Sequence, residues 1–194
     1  MALAAIAVAG GVWAGSTVFD RPSAVQVLEP TSSAGAPAVD PLAPSDPTEI
    51  RIDKINAVSS LIPLGLNPDQ TIATAPVSEP QQASWYRPGP TPGALGPAVI
   101  LGHVNGGGKD GIFARLHELK PGDQVRVNRA DGKTAVFTIT KMQQVPKDRF
   151  PTQEVYGDTP GAEVRLITCG GAFNQAARSY VDNIIAYGTL TSVI

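Results

Sequence analysis

Val164-Arg165-Leu166-Ile167-Thr168-Cys169-Gly170-Gly171 is a mostly apolar run that ends in a cysteine and two glycines. A short apolar run stopped by glycines reads as a buried β-strand. The residues on either side keep the same rhythm. From Glu49 onward, short apolar or alternating runs are separated by Gly, Pro, Asn and Asp, the pattern of a small all-β domain, either a barrel or a sandwich. Strands are expected over 50–55, 60–64, 71–75, 98–103, 124–128, 135–143, 163–168 and 184–190. The turn sequences Asn67-Pro68-Asp69, Lys120-Pro121-Gly122-Asp123 and Ala130-Asp131-Gly132 fall between them. Residues 111–119 break the rhythm, because Ile112, Phe113, Leu116 and Leu119 recur at helical spacing and predict a short helix.

Upstream of this domain, taken as residues 49–194, the composition changes twice. Residues 1–19 carry no charge and nothing more polar than Ser16 and Thr17, enough for about one bilayer span. They are expected to form a retained membrane anchor, with a signal segment cleaved near Ala14, Gly15 and Ser16 as the alternative. Arg21 is the only basic residue near the run, so flanking charge does not set its orientation. Residues 20–48 hold Pro22, Pro30, Pro37, Pro41, Pro44 and Pro47 among Ala, Ser and Thr, the composition of a semi-extended linker.

Charge and cysteine content exclude several classes of function. The chain of 194 residues is 16% charged with a formal net charge of -2. It has no basic stripe to neutralise a phosphate backbone, which argues against a nucleic-acid partner. A single cysteine cannot close an intramolecular disulfide, and with only two histidines it falls short of a closed zinc site. No acidic cluster suggests calcium. Neither a metal nor another cofactor is expected.

Sulfur chemistry remains. A lone cysteine is commonly a small buried hydrophobe. Cys169, however, stands where the strand is expected to leave the sheet through Gly170 and Gly171. There the scaffold holds Cβ while the following loop leaves room for an acyl group. Ala98-Val99-Ile100-Leu101-Gly102-His103 repeats the arrangement, ahead of glycines at 106–108. A thiol of pKa ~8.5 and an imidazole of pKa ~6.5 can share one proton near neutrality. The competing possibility for His103 is a hydrogen-bonded turn residue. His117, beside Glu118 in the expected helix, reads as part of a solvated face. Acyl transfer also needs a donor for the developing oxyanion. Arg178 is the only arginine after Cys169 and lies in the polar stretch before the last expected strand. Spacing alone does not separate that role from a surface charge. Lys109 and its neighbouring glycines fail as a phosphate cradle, since Asp110 stands where Ser or Thr is needed, and a substrate-gating loop fits better.

Together these residues resemble the sortase family over nearly all of residues 49–194. Leu166-Ile167-Thr168-Cys169 is similar to the family's TLxTC strand, with Arg165 where the first Thr is common. Gly102-His103-Val104 resembles the family's histidine strand, and the order His, Cys, Arg is the family's order. The stretches Ser84 to Gly93, Phe113-Ala114-Arg115-Leu116, Cys169 to Asn174 and Tyr180-Val181-Asp182-Asn183 look like class F.

The resemblance implies an eight-stranded sortase-type β-barrel with one or two short helices. It also implies a cysteine transpeptidase in which Cys169 attacks the Thr-Gly carbonyl of an LPXTG-like sorting signal. His103 would protonate the leaving amine, and an amine of a peptidoglycan precursor would resolve the thioester. Arg178 matches the family's arginine, holding the threonine or the oxyanion, with Asn174 or Asn183 as alternative donors. Thr168, Gly170, Asn105 and Asn174 are expected to contact substrate, and Asn105 stands where an Asp is common in the class. Expected partners are LPXTG-type surface proteins and the cell-wall amine. The enzyme is expected to be a monomer anchored in the cell membrane by one N-terminal span, with its catalytic domain outside. Two alternatives are a thiol endopeptidase on the same fold, in which water replaces the amine, and a non-catalytic peptide-binding domain.

Overall fold

Alternating and doubly apolar runs cut by turn residues become strands where expected, with two exceptions described below. The computed structural model describes residues 39–194. The apolar run 1–19 and residues 20–38 of the linker lie outside the described residues. Among the described residues the chain forms β1 (Pro47–Ile52), β2 (Ala57–Leu64), β3 (Ala83–Tyr86), β4 (Gly96–Leu101), β5 (Asn105–Gly106) and β6 (Lys109–Asp110). It continues through β7 (Gln124–Arg129), β8 (Thr134–Pro146), the helix α1 (Thr152–Tyr156), β9 (Ala162–Asn174) and β10 (Ser179–Val193). Eight strands close a barrel in the order β1-β2-β3-β4-β9-β10-β8-β7, while β5 and β6 form a separate hairpin. Neighbours are antiparallel except β2 with β3 and β4 with β9.

Two layers of apolar packing hold the barrel. Ile50, Ile52, Ile100, Phe137 and Leu166 are fully buried and belong to one interior cluster. A second cluster joins Val99, Ile167, Ile185 and Tyr187 to Val155 of α1, with Leu101, Tyr86, Phe150 and Tyr156 packed against it. Successive strand residues point to opposite faces. Leu166 and Ile167 therefore fall in different clusters, and β9 is covered on both sides. That double cover is why Val164 to Thr168 reads as a nearly continuous apolar run rather than an alternating one. Arg165 is tolerated within it because its guanidinium pairs with Glu163 at 2.7 Å and lies 4.7 Å from the centre of the Tyr187 ring.

Four expectations are corrected. Residues 71–75 form a loop, with only a Leu66–Ile72 bridge. The cause is local: Thr71 donates to Asp69 Oδ1 from its N–H at 3.0 Å and from Oγ1 at 2.6 Å, and these side-chain bonds compete with sheet pairing. The missing barrel strand is β3, whose four residues, Ala83-Ser84-Trp85-Tyr86, were too short a run to register. The helix expected at 111–119 reduces to a 3-10 turn, Leu116–Glu118. Its apolar spacing still does its work, since Ile112, Phe113, Leu116 and Leu119 all join the interior cluster. Finally, residues 39–46 pack on the barrel rather than hanging as linker. The buried Arg129 side chain donates to the Ala43 carbonyl at 2.6 Å and pairs with Asp131 at 2.9 Å, while Leu42 N–H donates to the Gly93 carbonyl at 2.7 Å.

The outer cluster has a consequence for alkaline stability. Burial, with the Glu154 carboxylate adding and Arg165 opposing, pushes the Tyr187 phenol up to about 12. Burial, followed by the neighbouring Tyr86, pushes Tyr156 up to about 12. The folded state keeps these protons where an unfolded tyrosine, near 10.0, has lost them. Their contribution is complete below pH 10 and is lost as pH rises toward 12. Denaturant titrations at stepped pH should show unfolding free energy falling across that interval, with the two phenols ionising late by absorbance. Two phenols that ionise normally would contradict this.

Candidate active site

The parallel strands β4 and β9 run in register up to the Leu101–Ile167 pair, and the last rung is Gly102 N–H donating to the Ile167 carbonyl at 3.1 Å. His103 and Cys169 each lie two residues beyond that pair. A two-residue step returns a side chain to the same face. Both therefore fall toward the outer face, His103 just past the end of β4 and Cys169 within β9. The backbone then diverges. Phe113 N–H donates to the His103 carbonyl at 3.0 Å and Gly111 N–H to the Val104 carbonyl at 2.9 Å, which turns the chain into the β5–β6 hairpin. With β4 gone, the edge of β9 at Cys169 opens onto a cleft.

The chain does not leave the sheet at Gly170 and Gly171, as the glycines suggested. β9 continues to Asn174, with Asn183 of β10 beside Cys169 and Tyr180 beside Phe173. The glycines serve a bulge instead. Pairing steps from Phe173–Tyr180 to Gly170–Asp182, so Gly171 and Ala172 face the single residue Val181. Gly171 adopts φ 75, and a Cβ there would lie 2.5 Å from Asp182 Oδ2. Bulges of this kind bend a strand beside functional sites. Cys169 thus sits at the end of the β4–β9 ladder, not at the end of its strand.

Arg178 returns to the cysteine through the β9–β10 turn. It adopts φ 49 at the last turn position, and β10 begins at Ser179, well before the expected strand start. Ala177 N–H donating to Asn174 Oδ1 at 3.0 Å braces the turn. His103, Cys169 and Arg178 line one cleft of about 430 Å³, together with Val77, Asn105, Phe173 and Tyr180. Cys169 and His103 are half-buried, and Arg178 is exposed. The Arg178 guanidinium makes no hydrogen bond or ion pair among the described residues.

The other expected contact residues separate into two groups. Asn105 is in the cleft, and its Nδ2 donates to Tyr180 Oη at 2.6 Å across it. Thr168 is 3% exposed and turned into the barrel by the same alternation that turns Cys169 outward, and its Oγ1 has no partner. Gly170 is buried, with Ile184 occupying the space a Cβ would take. Asn174 borders a neighbouring hollow with Lys147, Asp148 and Tyr180, and Asn183 borders another with Phe150, Tyr156 and Ile72. His117 is exposed on the 3-10 turn and is not a cleft residue. Val77 of the 66–82 loop is a cleft residue that no sequence signal marked.

A thiol, an imidazole and an unpaired guanidinium in one open cleft can perform acyl transfer. The Sortase domain model matches residues 50–191. The chain belongs to the sortase family. Its fold is similar to that of sortase C1 of Streptococcus agalactiae in complex with MTSET, at 15% identity and a TM-score of 0.57 over 73% of this chain and 65% of that one. The chain thus spans slightly under two thirds of that protein. It is also similar to sortase C-1 of Actinomyces oris, at 18% identity and a TM-score of 0.58, covering 74% of this chain and 73% of that one. A lid mutant of sortase A from Corynebacterium diphtheriae shares 18% identity with a TM-score of 0.57, covering 74% and 69%. No curated protein sequence matches the chain. No helix among the described residues is long and apolar enough to cross a membrane.

The position of Thr168 gives a direct test of its role in this sortase. Valine has the same shape without the unpartnered hydroxyl, whose burial is unfavourable. Thr168→Val should melt at or above the parent temperature and leave KM for peptide unchanged. A stability loss beyond about 1 kcal/mol, or a raised KM, would show that the hydroxyl has a partner.

Proposed function

We propose that this sortase is a cysteine transpeptidase that cleaves an LPXTG-like sorting signal and transfers the acyl fragment to an amine. The observation that carries the reading is the meeting of Cys169, His103 and Arg178 in one cleft beyond the last β4–β9 rung. Cys169 Sγ, having passed its proton to His103, attacks the carbonyl carbon of the Thr-Gly bond. Arg178 is free to donate to the oxyanion that forms, where a fixed positive donor has most effect. The intermediate collapses with loss of the C–N bond, and the proton on His103 goes to the departing amine. A thioester remains on Cys169. An incoming amine then gives a proton to His103, attacks the thioester carbon and expels the sulfur.

Proton traffic assigns the two sides of the cysteine. Both amines exchange protons with His103, so they occupy the β4 side. The acyl fragment then lies away from His103, on the β10 side. Two further hollows share Gln70, Ile72 and Tyr156: one reaches Asn183 of β10, beside Cys169, and the other reaches Tyr86 of β3, Pro88 and Pro90, on the far side of β4. Their aromatic and aliphatic lining suits the apolar part of a sorting signal. The physiological amine in this reading belongs to a peptidoglycan precursor. The domain works outside the cell membrane, tethered by the uncharged run 1–19, and reaches surface proteins bearing the signal.

Incubation with an LPXTG peptide and a small amine, followed by mass spectrometry of the products, tests the reading. The amine-linked acyl peptide should dominate. Cys169→Ala should form none, and His103→Ala and Arg178→Ala should be slower by about 10² or more. Hydrolysed peptide alone would mark a protease, and undiminished product from Cys169→Ala would overturn the nucleophile.

A further inference from the structure

Among the described residues the imidazole of His103 has one hydrogen-bond partner. Its Nε2 lies 2.6 Å from the backbone carbonyl oxygen of Ala75. A carbonyl oxygen only accepts, so Nε2 carries the proton in this contact. A neutral imidazole has one N–H and one bare nitrogen. Nδ1 is therefore the bare one. We propose that the Ala75 carbonyl is a positioning group that holds His103 as the Nε2–H tautomer, so that every proton exchanged with Cys169 passes through Nδ1. The catalytic meaning of this rests on the acyl-transfer reading above, whereas the tautomer belongs to the resting protein.

Local sequence explains why the carbonyl is aimed and held. Ala75 precedes Pro76, and a residue before proline is driven to extended ψ, which restricts the direction of its C=O. Its small side chain is only 3% exposed. The following turn is closed by Glu79 N–H donating to the Pro76 carbonyl at 2.9 Å. The loop is then laced to the segment that carries the histidine. Ile112 N–H donates to the Pro80 carbonyl at 2.8 Å, and Gln81 Nε2 donates to the Asp110 carbonyl at 2.6 Å. Gly106 of β5 lies so close to the loop that a Cβ there would run into the Val77 carbonyl and lie 3.1 Å from Pro80 Cβ. The donor and acceptor of the Ala75–His103 bond are thus fixed to one another by backbone contacts on both sides.

The arrangement suits the proton cycle. Cys169 gives its proton to Nδ1, and the ring becomes an imidazolium that donates from both nitrogens. Nε2–H stays on Ala75 throughout, so the ring need not turn between accepting a proton and delivering it to the amine from Nδ1. A triad partner of histidine is usually sought among Asp, Asn and Glu side chains. Here the third group is a main-chain oxygen from a loop distant in sequence.

Imidazole 15N and 1H spectra of the full chain, recorded where the ring is neutral, test the tautomer, with exposed His117 as internal reference. His103 should show protonated Nε2, bare Nδ1 and an Nε2 proton protected from exchange. Pro76→Gly, at a residue that does not itself line the cleft, should lose that protection and lower kcat by about tenfold with KM little changed. Gly106→Ala, which pushes the loop back by another route, should lose the same signal while circular dichroism shows the barrel intact. A proton on Nδ1, or exchange protection kept in both variants, would overturn the proposal. Protected Nε2–H in a protein that transfers no acyl group would instead sink the transpeptidase reading and leave the tautomer standing.

Discussion

The parallel, in-register pairing of β4 with β9 is the contact on which the site depends. It sets Leu101 beside Ile167 and so brings His103 and Cys169 to the same level on the same face. A slip of one residue would send one of the two into the barrel and the other outward. The register is locked because both strands are buried on both faces: Ile100 and Leu166 fill the interior, while Val99 and Ile167 pack under α1. Parallel neighbours cannot be joined by a tight turn. The residues between them, from the β5–β6 hairpin through β7, β8 and α1, form the long crossover, and that crossover also supplies the cover for the outer face.

The β9–β10 hairpin then completes the site. It carries β9 past the cysteine, bends at Gly171 and returns Arg178 to the cleft that opens where β4 stops. One strand thus carries Cys169 and roots the turn that holds Arg178. The same hairpin lines the cleft with Phe173 and Tyr180, whose rings meet edge-on at 5.1 Å, and Asn105 ties Tyr180 to the histidine side. The aromatic lining of the cleft, Cys169 and Arg178 share a scaffold, so a change in the hairpin alters all of them.

Much of this was legible in the residues themselves. Apolar runs marked seven of the barrel strands in outline, and the helical spacing of Ile112, Phe113, Leu116 and Leu119 identified a buried face although the backbone there is a turn. That Cys169 and His103 share a cleft was legible because each follows an apolar run of a strand that lies beside the other. Gly170-Gly171 misled, since glycines that stop a strand and glycines that permit a bulge look alike until the partner strand is known. Residues 71–75 misled because the Asp69–Thr71 bonds that curl them are made by side chains, not by apolar pattern. β3 was hidden because Ala83 and Ser84 carry little hydrophobic signal, and their place is fixed by Leu61 and Ile62 of β2 on one side. Ala75 was invisible for a different reason: its contribution is a carbonyl, which every residue has.

The central claim is that Cys169 becomes acylated because the ladder end presents it to His103 and Arg178. The most direct measurement is the intact mass of the protein after exposure to a sorting-signal peptide without added amine, with the modified residue located by fragmentation. The account predicts a gain equal to the acyl fragment, on Cys169, that is discharged when an amine is added. An unmodified protein under these conditions, or an acyl group carried by any other residue, would contradict it.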